Sequence, residues 1–239
     1  MSTLTKTSKS PLVSINVSSV SACPYLDGKF ETRALVNLKE FPEIYDQLAE
    51  IGFRRIENWA YKPICNGCSS CISTRVISHD HIPSKNQKRC LKVNKDLNRK
   101  IIPSRSKEEH YQLFLNYQNY RHSNDQMSQM TWFDYSSMIN QSPIQSIILE
   151  YRSREKNLKG VMIIDVQKDG LSLVYSFFDP LESKRSLGTF MILDSIKYCI
   201  ELNKKYLYLG YLVKGNSKMQ YKEKFKPSEV YINNSWEKV

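Results

Sequence analysis

Residues 146–178 constrain the fold more than any other part of the chain. They hold three runs, "SIILEYRS", "LKGVMIIDVQ" and "GLSLVYSFFD", joined by turns as short as "REKN" and "KDG". Connections this short join antiparallel neighbours, because a parallel return needs a crossover of a dozen residues or more. The next segment, "SLGTFMILDSIKYCIELN" (186–203), has apolar residues at helical spacing. "KKYLYLGYLV" then returns to a strand, and "EVYIN" is a last short one. A meander, a helix and a further strand predict an α+β domain in which the helix covers one face of a sheet.

Upstream, "EFPEIYDQLAEIG" (40–52) has helical spacing, with Pro42 suited to a first turn and Gly52 to the C-terminal cap. "FRRIENWAY" reads as a strand leading into a cysteine loop. Residues 84–100 predict a helix with Cys90, Val93 and Leu97 on one side and basic residues on the other. Residues 106–122 predict another, opened by a Ser106–Glu109 capping box. The chain therefore divides into a lead-in (1–20), a smaller cysteine-bearing lobe (21–105) and a larger domain (106–239). With 239 residues there is room for a sizeable core. No window approaches the roughly 20 apolar residues of a membrane helix, and the Ser/Thr-rich start lacks the apolar stretch of a secretory signal. A cytoplasmic protein with reduced thiols and no membrane partner is expected.

The net charge of +11 is unevenly spread. Residues 75–107 hold ten Lys or Arg against Asp80 and Asp96, and residues 202–239 hold eight Lys against three Glu. Two basic segments thus carry the whole excess, as a polyanion-binding protein requires. In "LYLGYLVKGNSKMQYKEKFKP" (207–227), Tyr208, Tyr211 and Tyr221, with Tyr206 just before, are interleaved with Lys214, Lys218, Lys222, Lys224 and Lys226. Aromatics that stack on bases beside lysines that meet phosphates suit single-stranded nucleic acid. The plainer reading is a tyrosine-rich strand beside a solvated lysine face.

Chemistry is concentrated in two further stretches. "YKPICNGCSSCISTRV" (61–76) places Cys65, Cys68 and Cys71 at every third residue, and Cys23 in "ACPYLDG" supplies a fourth thiol from a distance. Four thiolates suit tetrahedral zinc or an iron–sulfur cluster; a reduced loop with locally packed thiols is the other reading. Cys199, on the apolar face of its helix, reads as a buried small hydrophobe. His110 and His122 flank a helix and read as surface or cap residues. In "YSFFDPLESKRSLGTFMILDSI" (175–196) a strand ends at Asp179 and a helix begins near Ser186 with Gly188 in its first turn. Unpaired N–H groups there, with Arg185 alongside, would serve an anion or an oxyanion.

Taken in order, "CPYL" (23–26), "YKPICNGCSSCISTRV", the "KNQKR" run, "YSFFDP…KRSLGT" and "YLGYLVKGNSKMQYKEKFKP" resemble the bacterial aminoacyl-tRNA–protein transferases. The nearest group is the aspartate/glutamate leucyltransferases, relatives of the arginyltransferases. The resemblance covers about residues 21–236. Lys88 stands where many members have arginine, Leu212-Val213 replaces a bulkier pair, and "CPYL" carries one thiol rather than two.

The resemblance implies a GNAT-like acyltransferase domain with a cysteine-containing N-terminal lobe. It also implies transfer of an amino acid, leucine or arginine with leucine the expectation, from charged tRNA to the α-amine of proteins beginning with Asp or Glu, a mark that feeds the N-degron pathway. On that footing Asp179 is the candidate to bind or deprotonate the amine, with Tyr208 and Tyr211 as alternative proton-handling groups. Arg75, Lys88 and Arg89 would grip the acidic N-terminus, with Arg185, Ser186 and Gly188 beside the reacting centre. Lys214, Lys218, Tyr221 and Lys222 would meet the tRNA, and Cys23, Cys65, Cys68 and Cys71 would hold any metal or cluster. No cofactor is needed for the chemistry, and a monomer is expected. Two other functions compete: an acetyl-CoA-dependent acetyltransferase using Ser186–Thr189 for the pyrophosphate, and a cysteine-metal RNA-binding module without catalysis.

Overall fold

The computed structural model describes residues 13–121 and 126–239; residues 1–12 of the lead-in and His122 lie outside the described residues. The N-terminal part contains β1 (Asn16–Val17), β2 (Ser21–Ala22), β3 (Phe30–Glu31), β4 (Arg33–Asn37), α1 (Tyr45–Glu50), β5 (Arg54–Ile56) and β6 (Trp59–Pro63). Next come β7 (Cys71–Ile77), α2 (Lys85–Val93), β8 (Asn98–Pro103), α3 (Glu108–Arg121) and α4 (Trp132–Asn140). The meander follows as β9 (Ser146–Arg152), β10 (Leu158–Val166) and β11 (Gly170–Phe178). Then come α5 (Leu187–Glu201), β12 (Tyr206–Val213), β13 (Ser228–Ile232) and β14 (Ser235–Lys238).

Eight strands form the central sheet in the order β14-β13-β7-β12-β11-β10-β9-β8. The short turns do make antiparallel hairpins of β9, β10 and β11, and α5 carries the chain across to β12, which is parallel to β11. This is the meander–helix–strand order expected of a GNAT-like domain. The meander is apolar at nearly every position because both faces are covered, not one. Alternation sorts the side chains: Leu149, Met162 and Ile164 pack on α5, while Ile148, Val161 and Ile163 pack on Phe114 of α3 and Tyr135 of α4.

A second, four-stranded sheet, β1-β4-β6-β5, has its own core of Val36, Leu38, Tyr45, Leu48, Phe53 and Ala60. It carries the N-terminal lobe. The cysteine loop is the connection from β6 of this sheet to β7 of the central one. Residues 71–76, expected within a loop, are instead a buried strand between β12 and β13. The expected boundary near 105 therefore falls within a shared sheet, since β7 and β8 come from before it and β9–β14 from after. The helix expected over 84–100 ends at Val93, and residues 98–103 pair with β9. Ser106 does not cap α3. It bonds to Ser136 and Asn140 on α4, and Glu109 pairs with Arg152. His110 is buried against Glu150 rather than exposed.

One irregularity positions the site. β11 and β12 pair only at Gly170–Tyr206, Leu171–Leu207 and Ser172–Tyr208. Beyond this, the register between β12 and β7 shifts between Tyr208 and Gly210, and Gly210 has φ +81. A bulge bends its strand and strengthens the local twist, so β12 turns away from β11. Open space surrounds the place a Gly210 Cβ would occupy, which leaves the left-handed backbone as the cost of any side chain there. Gly210→Ala is expected to lower stability by about 1–2 kcal/mol in urea unfolding, and Gly210→Asn by less.

Candidate active site

Where β11 and β12 part, a cavity of about 490 Å³ opens between them. Leu173 to Ser176 line it from β11, and Leu209 to Tyr211 from β12. Met162 and Ile192 extend the apolar part. The N-terminal lobe adds Tyr25, Arg54, Arg55 and Tyr61, α3 adds Tyr117 and Gln118, and the segment after β12 adds Asn216, Lys218, Tyr221 and Lys222. The described lining thus contains two arginines, two lysines and no carboxylate.

The two arginines differ in their partners. Arg55 is neutralised by Asp165, with Nε and Nη2 each donating over 2.7 Å to a different carboxylate oxygen. Arg54 is buried with no acid beside it. Its Nη1 donates to the Phe53 carbonyl over 2.6 Å, its Nη2 to Ser73 Oγ, and its guanidinium lies 4.6 Å from the Tyr208 ring centre. Among the described residues its Nε has no hydrogen-bond partner, nor do Gln118 Oε1 and Asn216 Oδ1. Buried polar atoms are nearly always hydrogen-bonded. Three such atoms thus belong to residues that line one cavity.

Several expected site residues stand elsewhere. Arg75 is buried between the rings of Tyr206 and Trp236, 3.5 and 4.0 Å from their centres. It donates to Glu229 over 2.7 Å and to Tyr208 Oη over 3.1 Å, so its fork is already occupied. It fastens the β13–β14 hairpin and presents nothing to a substrate. Asp179 accepts from Lys159 and from the Leu181 N–H, and faces a groove that shares no lining residue with the cavity. Arg185 is held by Asp96 and Asn94, and Gly188 sits against Phe178; with Ser186 they back onto α2, outside the cavity lining. Tyr206, Tyr208 and Tyr211 are buried, so they cannot stack on bases. Tyr208 donates to Asp169 and Tyr211 to the Gly52 and Tyr61 carbonyls, and burial raises both phenols. Lys222 is buried too, which removes it from a phosphate-binding face.

The basic surface survives these corrections. Lys88 and Arg89 project from the exposed side of α2, while Gln87 and Cys90 on the other side are buried. Gln87 Nε2 donates to the Lys224 carbonyl over 2.9 Å, so α2 lies against the segment that exposes Lys214, Lys218, Lys224 and Lys226. The two basic segments thus meet in the fold, but of their lysines and arginines only Lys218 and Lys222 line the cavity, so Lys88 and Arg89, expected to grip the acidic N-terminus, stand outside that lining. Tyr221, half-exposed, also lines the cavity.

Cys23, Cys65, Cys68 and Cys71 line a small cavity of about 20 Å³ that shares Tyr25, Tyr61 and Tyr211 with the large one. The four thiols are thus one tyrosine layer away from the site. Four thiolates are the donor set of tetrahedral zinc or a cubane cluster. Among the described residues, however, no group of three or more His, Cys, Asp or Glu is arranged to hold a metal ion, so the thiols as placed do not fit one. Burial and the other three thiols push Cys71 up to about 11, whereas hydrogen bonds from Ser70 lower Cys68. Buried Cys199 is pushed up to about 12. Because the thiolate is the reactive form, iodoacetamide at pH 8 should label Cys68 first and Cys71 and Cys199 last. Peptide mass spectrometry over time reads the order.

Residues 109–232 match the family described as arginine-tRNA-protein transferase, C terminus, and residues 21–89 its N-terminal counterpart. An aspartate/glutamate leucyltransferase from Hyphomonas neptunium is 40% identical over 225 residues, covering 92% of this chain and 89% of that protein. One from Sinorhizobium medicae is 39% identical, covering 98% and 94%. L-PGS from Bacillus licheniformis superimposes with a TM-score of 0.51 at 10% identity, covering 85% of this chain and 64% of that one, which is a likeness of fold.

Proposed function

Because the chain belongs to the arginine-tRNA-protein transferase family, we propose that it transfers leucine from leucyl-tRNA to the α-amine of proteins that begin with Asp or Glu. The observation that carries the choice of substrates is the cavity that holds cationic side chains, apolar walls and no carboxylate. A leucyl side chain is neutral and apolar and suits Met162, Leu173, Ile192 and Leu209. An arginyl side chain would meet like charge. Two like charges about 4 Å apart repel by roughly 4 kcal/mol at the effective dielectric of a protein surface, about a thousandfold in binding. An acceptor with an acidic first residue brings the anion that the cavity lacks, and Arg54, without an acid of its own, is the group to receive it.

The chemistry asks little of the enzyme beyond placement. The aminoacyl ester is already activated, and an α-amine with a pKa of about 7.7–8.0 is partly neutral at pH 7. Holding ester and amine together supplies on the order of 7–11 kcal/mol. The α-amine attacks the ester carbonyl carbon, the C–N bond forms, and the ribose 3′ oxygen departs. We assign the exposed lysines and arginine on α2 and after β12 to the acceptor stem, on the strength of their charge and exposure. We place the protein in the cytoplasm, acting as a monomer, a compartment in which its six free cysteines stay reduced. Products of such a transfer would enter the N-degron pathway.

A cross of leucyl-, arginyl- and phenylalanyl-tRNA with Asp-, Glu- and Ala-starting peptides tests the proposal. Leucine should pass to Asp and Glu peptides at least tenfold faster than arginine does. Equal use of arginine would reject the donor assignment, and tight RNA binding without transfer would favour a plain RNA-binding module. Arg54→Met should raise KM for the Asp peptide about 10–100-fold, the worth of a charge-assisted bond of about 1.5–3 kcal/mol, and leave leucyl-tRNA affinity within twofold. The double change Lys88→Ala with Arg89→Ala should weaken tRNA binding and reduce the log–log salt slope by about 1–2. Titrations from 50 to 200 mM salt measure it.

A further inference from the structure

Five lysines follow β12 within thirteen residues, and one of them behaves differently. Lys214, Lys218, Lys224 and Lys226 are exposed, whereas Lys222 is 4% exposed and lines the cavity. It sits on a short 3₁₀ turn, Gln220–Lys224. Its Nζ donates to the Tyr211 carbonyl, one residue past the Gly210 bend, and lies 3.9 Å from Met219 Sδ. The Tyr221 ring centre is 5.5 Å away. No carboxylate pairs with it among the described residues.

An ammonium has three N–H donors, and here one carbonyl and one weakly accepting thioether meet them. A neutral amine uses both contacts and keeps a lone pair. The charges around it favour the same state. Burial first and the Arg54 guanidinium second, opposed by the Cys71 thiol, together lower its pKa to about 7. Leaving an ammonium with so little solvation is costly, which is why buried lysines titrate near neutrality. The remaining groups on the cavity wall are poor proton acceptors. Arginine has no lone pair to offer, Lys218 is solvated by water, and the Tyr211 phenol is raised and already donating.

We infer that Lys222 is the proton acceptor of the transfer step. Its Nζ takes the proton lost by the attacking α-nitrogen as the C–N bond forms on the leucyl carbonyl, and gives it to the ribose 3′ oxygen as the ester C–O bond breaks. Protons balance over the cycle, and Lys222 returns to its neutral form. This assignment rests on the leucyl-transfer reading above and gives a catalytic role to a residue whose place in the motif would otherwise suggest a phosphate contact.

The test uses the full chain, leucyl-tRNA and an Asp-starting peptide in single turnover. Lys222→Met and Lys222→Arg should each slow transfer about 10²–10⁴-fold, the range of general acid–base assistance, with leucyl-tRNA Kd within twofold. Ethylamine should restore the Met variant in a dose-dependent way, and tetramethylammonium, which has no lone pair, should not. A Met variant within threefold of wild type, a loss of tRNA binding that matches the loss of rate, or no rescue by ethylamine would each overturn the assignment. Should the Met variant fail to fold, wild type decides. With an aminooxy analogue of the Asp peptide, neutral throughout pH 6–9, the rate should still rise through a midpoint near 7, and a flat profile would overturn it. Wild type that transfers no leucine at all would instead reject the leucyl-transfer reading.

Discussion

A three-residue stretch of parallel pairing governs the architecture of this protein. β11 and β12 hydrogen-bond from Gly170 to Ser172 and then part, because β12 is bent at Gly210. Unbroken pairing would close the sheet, and the backbone groups on both strands would satisfy one another. The separation instead exposes two strand edges to a cavity, and the N-terminal lobe and the 216–222 segment close round it. Site and fold are therefore consequences of the same irregularity.

Charge is distributed around this opening according to whether it is already answered. Arg55 is spent on Asp165, and Arg75 on Glu229 and Tyr208. These pairs tie the lobe and the terminal hairpin to the central sheet, and an arginine so paired has no fork left for a ligand. Among the described residues, the hydrogen-bond partners of Arg54 are a carbonyl and a hydroxyl, and those of Lys222 a carbonyl and a thioether. Burying a charged group without an acid is expensive. Both of these positions lie on the lining of the same cavity, which is why the proposed reaction is built on them.

Much of the fold was legible in local pattern. The turns "REKN" and "KDG" forced the hairpins, and the helical spacing of 186–203 gave α5. The meeting of distant Cys23 with the three thiols of the 65–71 stretch was also legible, from the spacing of the three and from the resemblance. What local pattern could not reveal was partnership. "CISTRV" looks like a loop because its cysteines draw the eye, yet its two neighbours in the sheet lie more than 120 residues away. "NRKIIP" seemed to prolong a helix because nothing nearby announces β9 as its partner. Likewise Arg75, Asp179 and Lys222 have the residue types of a site, and only the tertiary neighbours show that the first two are occupied and the third is inside. Arg54 was passed over within "FRRIENWAY" although two adjacent arginines in a short, otherwise apolar strand are the signal that could have found it, since one of them must face inward.

β7 is laid down early in synthesis but is flanked in the finished sheet by β12 and β13, the nearer of which begins at Tyr206. As the chain leaves the ribosome, this strand emerges well before either neighbour. Throughout that interval the edges of β7 have no native partner, a state prone to mispairing and aggregation, although Tyr25, Leu26, Tyr61 and Pro63 around the thiols have already been made. The surroundings of the thiols are accordingly complete only once β12 has been made, since Tyr211 and Val213, far from the thiols in sequence, supply the last wall of their cavity and the strand partner of Cys71.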